Sequence, residues 1–475
     1  MSQLTGNLGG TPEADSFTGS LTLASDGPLS AAAIVNARLL SLSGDDVIQG
    51  IALVTAAAGE SAGLKSAFID TGDDDDTLYF SALFKYSPSS SALLPAASYG
   101  VQWATILTGS GNDILRIESG LADTPFGASP AYGVYQSSLD TGDDDDRVTV
   151  TARSGFDTGP TYGLYQSTLK GGAGQDELII ESTSTGYFQG TPSYGSYQST
   201  VDGGSGNDEI SLSAYSGSRG GGTAYGALET TVLGGAGRDE ITLSGSAGGM
   251  SHSRSYGAAQ SLVDGGTGND LITLSAMASG AADTQAYGLF NGRVLGGDGN
   301  DEIIISGSTN SGSNGQGIGV YRGTVNGGYG DDEITISGEH THDNPSNVAY
   351  GLWQASVYGG AGNDIITVSG TTLAFKDSLI HGGDGNDRFE VGIGHGTVDG
   401  GVGRDLILLD FFEAQTMTVQ ALANNGLRIT GTADAQGNLL EAPWTQTIIN
   451  MEQFQVGSHL FTTSQGAAAY LQSLT

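Results

Sequence analysis

The sequence contains no cysteine, so no disulfide cross-links it. Basic residues are also scarce: 16 Lys and Arg stand against 52 Asp and Glu, which gives a formal net charge of −36 at pH 7. This balance argues against nucleic acids and anionic membranes as partners, because both are bound through clustered Lys and Arg. No stretch approaches the ~18 consecutive apolar residues of a transmembrane helix. The N-terminal residues also lack the basic and apolar regions of a classical signal peptide.

Glycine is abundant instead, with 79 of 475 residues, and much of it lies in a recurring nine-residue phrase. The phrase is G-G-x-G-x-D-x-U-x, in which U is a large apolar residue, as in GGSGNDEIS at Gly203 and GGDGNDEII at Gly296. Its glycines allow the backbone to turn with carbonyl groups facing inward, and its aspartate supplies a carboxylate. Carbonyl and carboxylate oxygens are the ligands that Ca²⁺ requires, so the phrase predicts calcium binding.

The aspartate at the sixth position of the phrase, here called the anchor, recurs along most of the chain. Between Asp176 and Asp364 the successive gaps are 32, 31, 31, 31, 31 and 32 residues. Looser copies, TGDDDD at Thr71 and Thr141, precede the regular ones. A fixed period of this size indicates a solenoid. The predicted calcium ligands are the anchors Asp46, Asp76, Asp113, Asp146, Asp176, Asp208, Asp239, Asp270, Asp301, Asp332, Asp364, Asp387 and Asp405. They are joined by backbone carbonyls near Gly172, Gly174, Gly204, Gly206, Gly235, Gly237, Gly266, Gly268, Gly297, Gly299, Gly328, Gly330, Gly360, Gly362, Gly383, Gly385, Gly401 and Gly403.

A second phrase, Tyr-Gly, stands fourteen residues before most anchors and opens segments such as YGLYQSTLK that predict strands. After the anchors, apolar and hydroxyl residues alternate, as in Ile210-Ser211-Leu212, which predicts a strand with one buried face. Each repeat therefore predicts strand, turn, strand and a variable connection. The fold predicted is all-β, a right-handed parallel β-roll or β-solenoid with roughly 31-residue coils and one calcium-binding edge.

The repeated phrase resembles the calcium-binding repeats of the RTX (repeats-in-toxin, haemolysin-type) proteins, from about Ser43 to Leu409. The resemblance implies a parallel β-roll with Ca²⁺ held between successive turns. It also implies type I export through an uncleaved C-terminal signal, with folding outside the cell. The chain departs from the family in carrying one motif per ~31 residues rather than one at each turn of an 18-residue coil. In the TGDDDD copies, Asp74 and Asp144 replace the fourth-position glycine, so we expect those sites to differ.

These observations divide the chain into three parts. Residues 1–30 are predicted to form an N-terminal cap or assembly segment, 31–409 the solenoid, and 410–475 a C-terminal cap with the secretion signal. The extracellular space or the bacterial cell surface is the predicted location, because Ca²⁺ reaches ~10⁻³ M there.

Three functions remain open. The first is a secreted calcium-binding structural protein that folds on binding Ca²⁺ and self-assembles, end to end or laterally, into a surface layer, sheath or fibril. In its repeat-only architecture it resembles the RTX-type surface fibril proteins of filamentous gliding cyanobacteria. The second is a calcium-dependent adhesin or a binder of cell-surface polysaccharide. The third is a polysaccharide-acting β-helix enzyme, which is weaker because no H-E-x-x-H or G-x-S-x-G signature is present. The acidic residues outside the repeat register do not form a set, and no catalytic residue is predicted; these acids are Glu118, Glu181, Asp283 and Glu339.

The tyrosines of the Tyr-Gly phrase have two interpretations. Aligned aromatic rings on a flat face suit carbohydrate stacking. Identical residues in parallel register can instead stack on one another along the solenoid. We favour self-stacking.

Overall fold

The protein is described here from a computed structural model with two compact units, residues 1–255 and 256–475. It describes residues 3–11, 13–24, 29–40, 43–56, 58–86, 96–122, 129–155, 159–186, 190–217, 219–342, 344–409, 417–423, 425–434 and 437–474. Each unit is a β-solenoid of parallel coils about 31 residues apart. The all-β solenoid predicted from the repeat spacing is therefore confirmed. No described helix is long and apolar enough to span a membrane.

The first unit consists of short strands. They are β1 (Leu4–Gly9), β2 (Ser16–Ala24), β3 (Ala31–Leu40), β4 (Val47–Ala56), β5 (Gly59–Lys65), β6 (Phe68–Asp70), β7 (Thr77–Tyr86), β8 (Ala96–Gln102), β9 (Thr105–Leu107), β10 (Ile114–Ala122), β11 (Ala131–Tyr135), β12 (Ser138–Asp143), β13 (Arg147–Ser154), β14 (Thr161–Tyr165), β15 (Thr168–Ala173), β16 (Glu177–Ser184), β17 (Pro192–Tyr197), β18 (Thr200–Ser205), β19 (Glu209–Gly217), β20 (Thr223–Leu228), β21 (Thr231–Ala236), β22 (Glu240–Gly248) and β23 (Arg254–Ala259), which includes the unit boundary.

The second unit continues with strands and ends in a helix. Its elements are β24 (Leu262–Thr267), β25 (Leu271–Gly280), β26 (Gln285–Phe290), β27 (Arg293–Asp298), β28 (Glu302–Ser311), β29 (Gln316–Tyr321), β30 (Thr324–Tyr329), β31 (Glu333–His340), β32 (Val348–Trp353), β33 (Ser356–Ala361), β34 (Ile365–Gly370), β35 (Leu373–Asp384), β36 (Arg388–Val391), β37 (Gly394–Val402), β38 (Leu406–Leu408), β39 (Met417–Ala421), β40 (Leu427–Ala433), β41 (Leu439–Ile449), β42 (Gln453–Val456), β43 (His459–Phe461) and α1 (Ser464–Leu474).

A typical coil holds three strands, which we call the motif strand, the tyrosine strand and the return strand. In the coil that follows Asp176 these are β16, β17 and β18. The sequence predicted one strand from Tyr-Gly to the next motif, and the structure divides it in two. Gln198 causes the division, because it lies between β17 and β18 with a left-handed φ of 48° that ends the tyrosine strand. Equivalent residues of other coils, such as Gln166 at 48°, bend the chain in the same way.

Equivalent strands pair in parallel and in register, so like residues lie above like residues. Ile210 pairs with Ile241 and Leu212 with Leu243, and all four side chains are fully buried. Ser211, between the first two, points outward and is half-buried. The predicted alternation is confirmed. Burying an Ile or Leu contributes about 1.5–3 kcal/mol, and a coil gains this only when neighbours cover it.

The predicted terminal segments have the following structure. Strands β1 and β2 pair in parallel with β3 and β4, so described residues before Ala31 form a further coil. At the other end, β41 pairs in parallel with β37 but antiparallel with β40, which pairs antiparallel with β39. Helix α1 packs on β39, β42 and β43. This segment closes the C-terminal end of the parallel stack.

Candidate metal centre

The anchor aspartates form a buried column along the motif turns of each unit. Their side chains are no more than 2% exposed. One oxygen, Oδ1, accepts a hydrogen bond from the backbone N–H of the anchor one coil earlier. Asp146 N donates to Asp176 Oδ1 at 2.9 Å, and Asp301 N donates to Asp332 Oδ1 at 2.8 Å. The anchors therefore join successive coils through hydrogen bonds that need no metal.

The second carboxylate oxygen, Oδ2, is the unusual feature of the column. It is buried and accepts no hydrogen bond from any described residue in Asp46, Asp76, Asp113, Asp146, Asp176, Asp208, Asp301, Asp332, Asp364, Asp387 and Asp405. Asp239 and Asp270 are buried to the same degree. Buried polar atoms almost always have partners, so a repeated exception indicates a missing ligand.

Burial makes the ionised form of these carboxylates costly. It raises the pKa of Asp176 and Asp332 to about 7, and that of Asp301 and Asp387 to about 6. The backbone hydrogen bond to each carboxylate opposes the rise, while neighbouring carboxylates in the column add to it. Near neutral pH, without a cation, the folded column is therefore held partly protonated.

A small cradle lies beside each orphaned oxygen in the regular copies of the motif. A Cβ built on Gly203, the first glycine of its motif, would lie 2.6 Å from Asp208 Oδ2 and 2.5 Å from the carbonyl oxygen of Gly234 in the next coil. Both distances are shorter than real Cβ contacts, so the two oxygens converge on the first glycine, and a side chain at residue 203 would force them to shift. The same pairing of carboxylate and carbonyl surrounds Gly171, Gly203, Gly265, Gly296, Gly327, Gly359 and Gly382.

Three coils fill this cradle with a hydroxyl group. Thr71, Thr108 and Thr141 occupy the position of the first glycine. Thr108 Oγ1 donates to the carbonyl oxygen of Thr141 at 2.7 Å, and Thr141 Oγ1 to that of Gly171 at 2.7 Å. The same hydroxyls lie close enough to their carboxylates to lower the pKa of Asp113 and Asp146, which burial raises. Each hydroxyl has one proton, which can serve the carbonyl or the carboxylate but not both.

The second and fourth glycines of the regular motifs have the conformation that the sequence predicted. All eighteen have φ between 102° and 154°, a region that side-chain-bearing residues avoid. In the TGDDDD copies, Asp74 and Asp144 take the fourth position at φ 83° and 81°. The carbonyls of the second and fourth glycines face the same glycine of the next coil, as Gly172 does toward Gly204. The carbonyl that shares the cradle with the carboxylate is that of the first glycine in the next coil.

Calcium fits the chemistry of the glycine cradles. Every ligand atom beside them is an oxygen, and one of the two is a buried carboxylate oxygen, which in Asp176, Asp208, Asp301, Asp332, Asp364 and Asp387 accepts no hydrogen bond from the described residues. No group of three or more His, Asp or Glu side chains converges among the described residues, so most further ligands would have to be backbone carbonyls or water. The three threonine coils fit less well, because a hydroxyl already occupies the cradle.

The structure adds two anchors that the motif search missed. Asp15 N donates to Asp46 Oδ1 at 2.7 Å, and Asp405 N donates to Glu452 Oε2 at 2.9 Å. Asp15 lies 31 residues before Asp46, so the period alone could have found it. Glu452 is 47 residues beyond Asp405, because the C-terminal strands interrupt the repeat. Its only sequence signal is the following Gln-Phe, which pairs with Leu406-Ile407.

The tyrosines of the first unit stack on one another, as expected. Tyr132 and Tyr162 have ring centroids 5.0 Å apart and planes 8° from parallel, and Tyr162 and Tyr194 are 4.7 Å apart at 4°. Their faces therefore cover each other, and mainly the ring edges remain available. Of the off-register acids, Glu118 bonds to Arg116 and Tyr79, and these bonds outweigh its burial and lower its pKa.

The chain was compared with known proteins. No family model matches the sequence, and no curated protein sequence matches it. The RTX resemblance therefore rests on the repeated phrase.

Proposed function

We propose that this chain is an extracellular, calcium-binding structural protein whose folding is coupled to calcium binding. One observation carries the proposal: a buried column of carboxylate oxygens without a hydrogen-bond partner, several of which converge with a backbone carbonyl oxygen on a motif glycine, as Asp176, Asp208 and Asp301 do. Ca²⁺ would supply the positive charge and oxygen affinity that such a column needs.

The regular glycine motifs are the proposed calcium sites. Their nine anchors are Asp176, Asp208, Asp239, Asp270, Asp301, Asp332, Asp364, Asp387 and Asp405. In the coils of Asp76, Asp113 and Asp146, the hydroxyls of Thr71, Thr108 and Thr141 instead occupy the cradle and donate to carbonyl oxygens of the next coil. We therefore expect about three coils to stay folded when calcium is lost and the coils with glycine motifs to need the metal.

A structural role follows from how the residues are used. In each unit the described residues build stacked coils, and their hydroxyl-rich outer faces repeat with the coil. We propose self-assembly at the bacterial surface, in a layer, sheath or fibril. The closed C-terminal end favours lateral contacts over end-to-end growth there, because antiparallel strands replace the parallel ladder.

Refolding from urea tests the proposal. The protein is dialysed into buffer with millimolar Ca²⁺, millimolar Mg²⁺ or chelator. Circular dichroism then reports strand content, and equilibrium dialysis with elemental analysis reports bound metal. About nine Ca²⁺ per chain and strand formation only with Ca²⁺ are expected. Strand formation at neutral pH in chelator, with no bound metal, would contradict coupled folding. Negative-stain microscopy of the calcium sample tests assembly separately: discrete rods would overturn self-assembly but not calcium binding.

A further inference from the structure

A shallow groove of about 610 Å³ runs along the bend between tyrosine and return strands in the first unit. Its walls include the side chains of Trp103, Gln136 and Gln166 at the bend and the hydroxyls of Thr105 and Ser138 on the return strands. We call it the amide groove. None of these side chains is charged, although the chain has a net charge of −36.

The bend side chains form a continuous hydrogen-bonded row. Trp103 Nε1 donates to Gln136 Oε1 at 2.8 Å, Gln136 Nε2 to Gln166 Oε1 at 2.7 Å, and Gln166 Nε2 to Gln198 Oε1 at 2.8 Å. An amide has two N–H donors and two acceptor lone pairs, and the row uses one of each. Each exposed glutamine therefore presents a spare donor and a spare acceptor to solvent, once per coil.

A parallel row of hydroxyls accompanies the amides. Thr105, Ser138, Thr168 and Thr200 are aligned by strand pairing and lie on the outer face. Their hydroxyls make no hydrogen bond to the described residues and so remain available to a ligand. Amides and hydroxyls thus repeat together at the strand spacing of about 4.8 Å.

The exposure and backbone conformation of Trp103 are costly for a tryptophan, which suggests that the ring contacts a ligand. Its side chain is 47% exposed, and its backbone φ of 53° is one that a bulky residue adopts only at a cost. The next coils use glutamine at the same bend, and a glutamine at 103 would donate equally well to Gln136. The hydrogen-bonded row therefore does not require an indole ring. Lys65 Nζ lies 5.1 Å from the ring centroid, so part of the ring is already in cation–π contact.

We infer that the amide groove binds a neutral polysaccharide that runs along the coil axis. A sugar ring offers apolar C–H faces for an exposed indole and hydroxyls for amides. In an extended β-linked chain, successive sugars advance by a distance close to the strand spacing, so each can meet an equivalent amide and hydroxyl. An anionic polymer is disfavoured by the negative charge of the protein. The stacked tyrosine faces are not the sugar platform, because they cover each other.

Affinity electrophoresis tests this inference in native gels with millimolar Ca²⁺ and either hydroxyethyl cellulose, galactomannan or polygalacturonate. At least one neutral polymer is expected to retard the wild-type protein more than polygalacturonate does. Trp103→Gln should weaken that retardation by about tenfold, since it keeps the hydrogen-bonded row and removes the ring. No retardation by either neutral polymer, stronger retardation by polygalacturonate, or unchanged retardation of the variant would each overturn the inference.

A second pair of variants separates binding from folding. Ser138→Tyr places bulk in the groove at an exposed position, whereas Ser211→Tyr places it on an outward position of a motif strand. The first should abolish retardation and the second should not, with equal melting temperatures. Equal loss in both would overturn the location. None of these results depends on calcium stoichiometry, so failure here leaves the proposed function standing.

Discussion

Replacing Gly171 by threonine would extend the threonine column of Thr71, Thr108 and Thr141 by one coil. Thr141 Oγ1 already donates to the carbonyl of Gly171, so the new side chain would lie directly above a native one. Gly171 has no left-handed φ, but a Cβ there would lie within 3.0 Å of Asp176 Oδ2 and of the Gly203 carbonyl oxygen, so both oxygens must shift to admit a side chain. A hydroxyl would then occupy the space between Asp176 Oδ2 and the carbonyl oxygen of Gly203, where we propose that a calcium ion binds.

The magnitude has two parts with opposite signs. Without calcium, the hydroxyl adds one hydrogen bond, to the carbonyl oxygen of Gly203 or to Asp176 Oδ2, which contributes about 0.5–1.5 kcal/mol relative to alanine at the same position. With calcium at 100 times the dissociation constant, each lost site removes about 2.7 kcal/mol. Gly171→Thr should therefore be about 1 kcal/mol more stable than Gly171→Ala without metal, and calcium should stabilise it by about 2.7 kcal/mol less than it stabilises the wild type.

The assay is a series of urea melts at about pH 5, where protonated anchors are expected to keep the metal-free protein folded. Calcium is varied from chelator to about 10 mM, above the ~10⁻³ M affinity of extracellular sites. The midpoint of the variant should rise less with calcium than the midpoint of the wild type. Bound calcium should fall by one per chain. Gly171→Ala is the matched control, because it introduces the same Cβ without a hydroxyl; it should lose the same calcium ion and be the less stable of the two variants without metal.

Parallel midpoint curves with unchanged stoichiometry would refute the reasoning, since the cradle would then not be where the cation binds. The reciprocal change gives an independent check. Thr141→Gly opens a cradle beside Asp146 and should add one bound calcium at a cost of about 1 kcal/mol in chelator.

Three further predictions follow from the anchor column. Burial raises the pKa of anchors to about 6–7, so the metal-free fold should be most stable below pH 4 and should lose stability as the pH rises toward 7. Circular dichroism in chelator from pH 4 to 8 measures this loss, and calcium should remove it. A metal-free fold whose stability increases with pH would contradict the prediction. Asp301→Asn keeps the acceptor for Asp270 N–H, so it should lose calcium without loss of metal-free stability. Asp301→Ala leaves that buried N–H unpaired and should lower the free energy of unfolding by about 1–3 kcal/mol in urea melts. Equal costs for the two variants would show that the hydrogen bond is unimportant. Glu452→Ala removes the acceptor for Asp405 N–H and should speed hydrogen exchange in the C-terminal coil, while exchange near Asp176 is unchanged. Equal acceleration at both places would argue against Glu452 as a residue that closes only the C-terminal end of the stack.

Much of the fold was predictable, because the 31-residue repeat and the alternation of apolar and hydroxyl residues determine which residues stack on one another. A 31-residue spacing and the Ile-x-Leu pattern at Ile210 suffice to place the motif strands in register. The division of the tyrosine strand was not predictable from strand propensity. It depends on residues such as Gln198, which adopt a left-handed φ although their side chains do not favour it. Stacked coils on both sides, through bonds such as Gln198 N to Leu228 O, hold that conformation.

The candidate site was predictable in its carboxylates but not in its differences between coils. Motif letters identify Asp146 and Asp176 equally well. Only stacking shows that Thr141 fills the cradle of the first, while Gly171 leaves that of the second open. A threonine in place of the first motif glycine looks like degeneration in a one-dimensional repeat. In three dimensions its hydroxyl takes the position proposed for the cation.

The column gives a physical reason to expect that this chain folds only with an outside agent. Each anchor accepts one backbone hydrogen bond from the preceding coil, so removing the aspartates would unpair the coils. Keeping them places carboxylates one strand spacing apart, about 4.8 Å, in a buried row where like charges repel. Protons or calcium can resolve this conflict, and in three coils a threonine hydroxyl already occupies the cradle and links the coil to the next. Because protons are scarce at neutral pH, calcium is the agent that an extracellular environment supplies. The fold should therefore be conditional on calcium in the glycine coils, and the threonine coils should be the last to open when calcium is withdrawn.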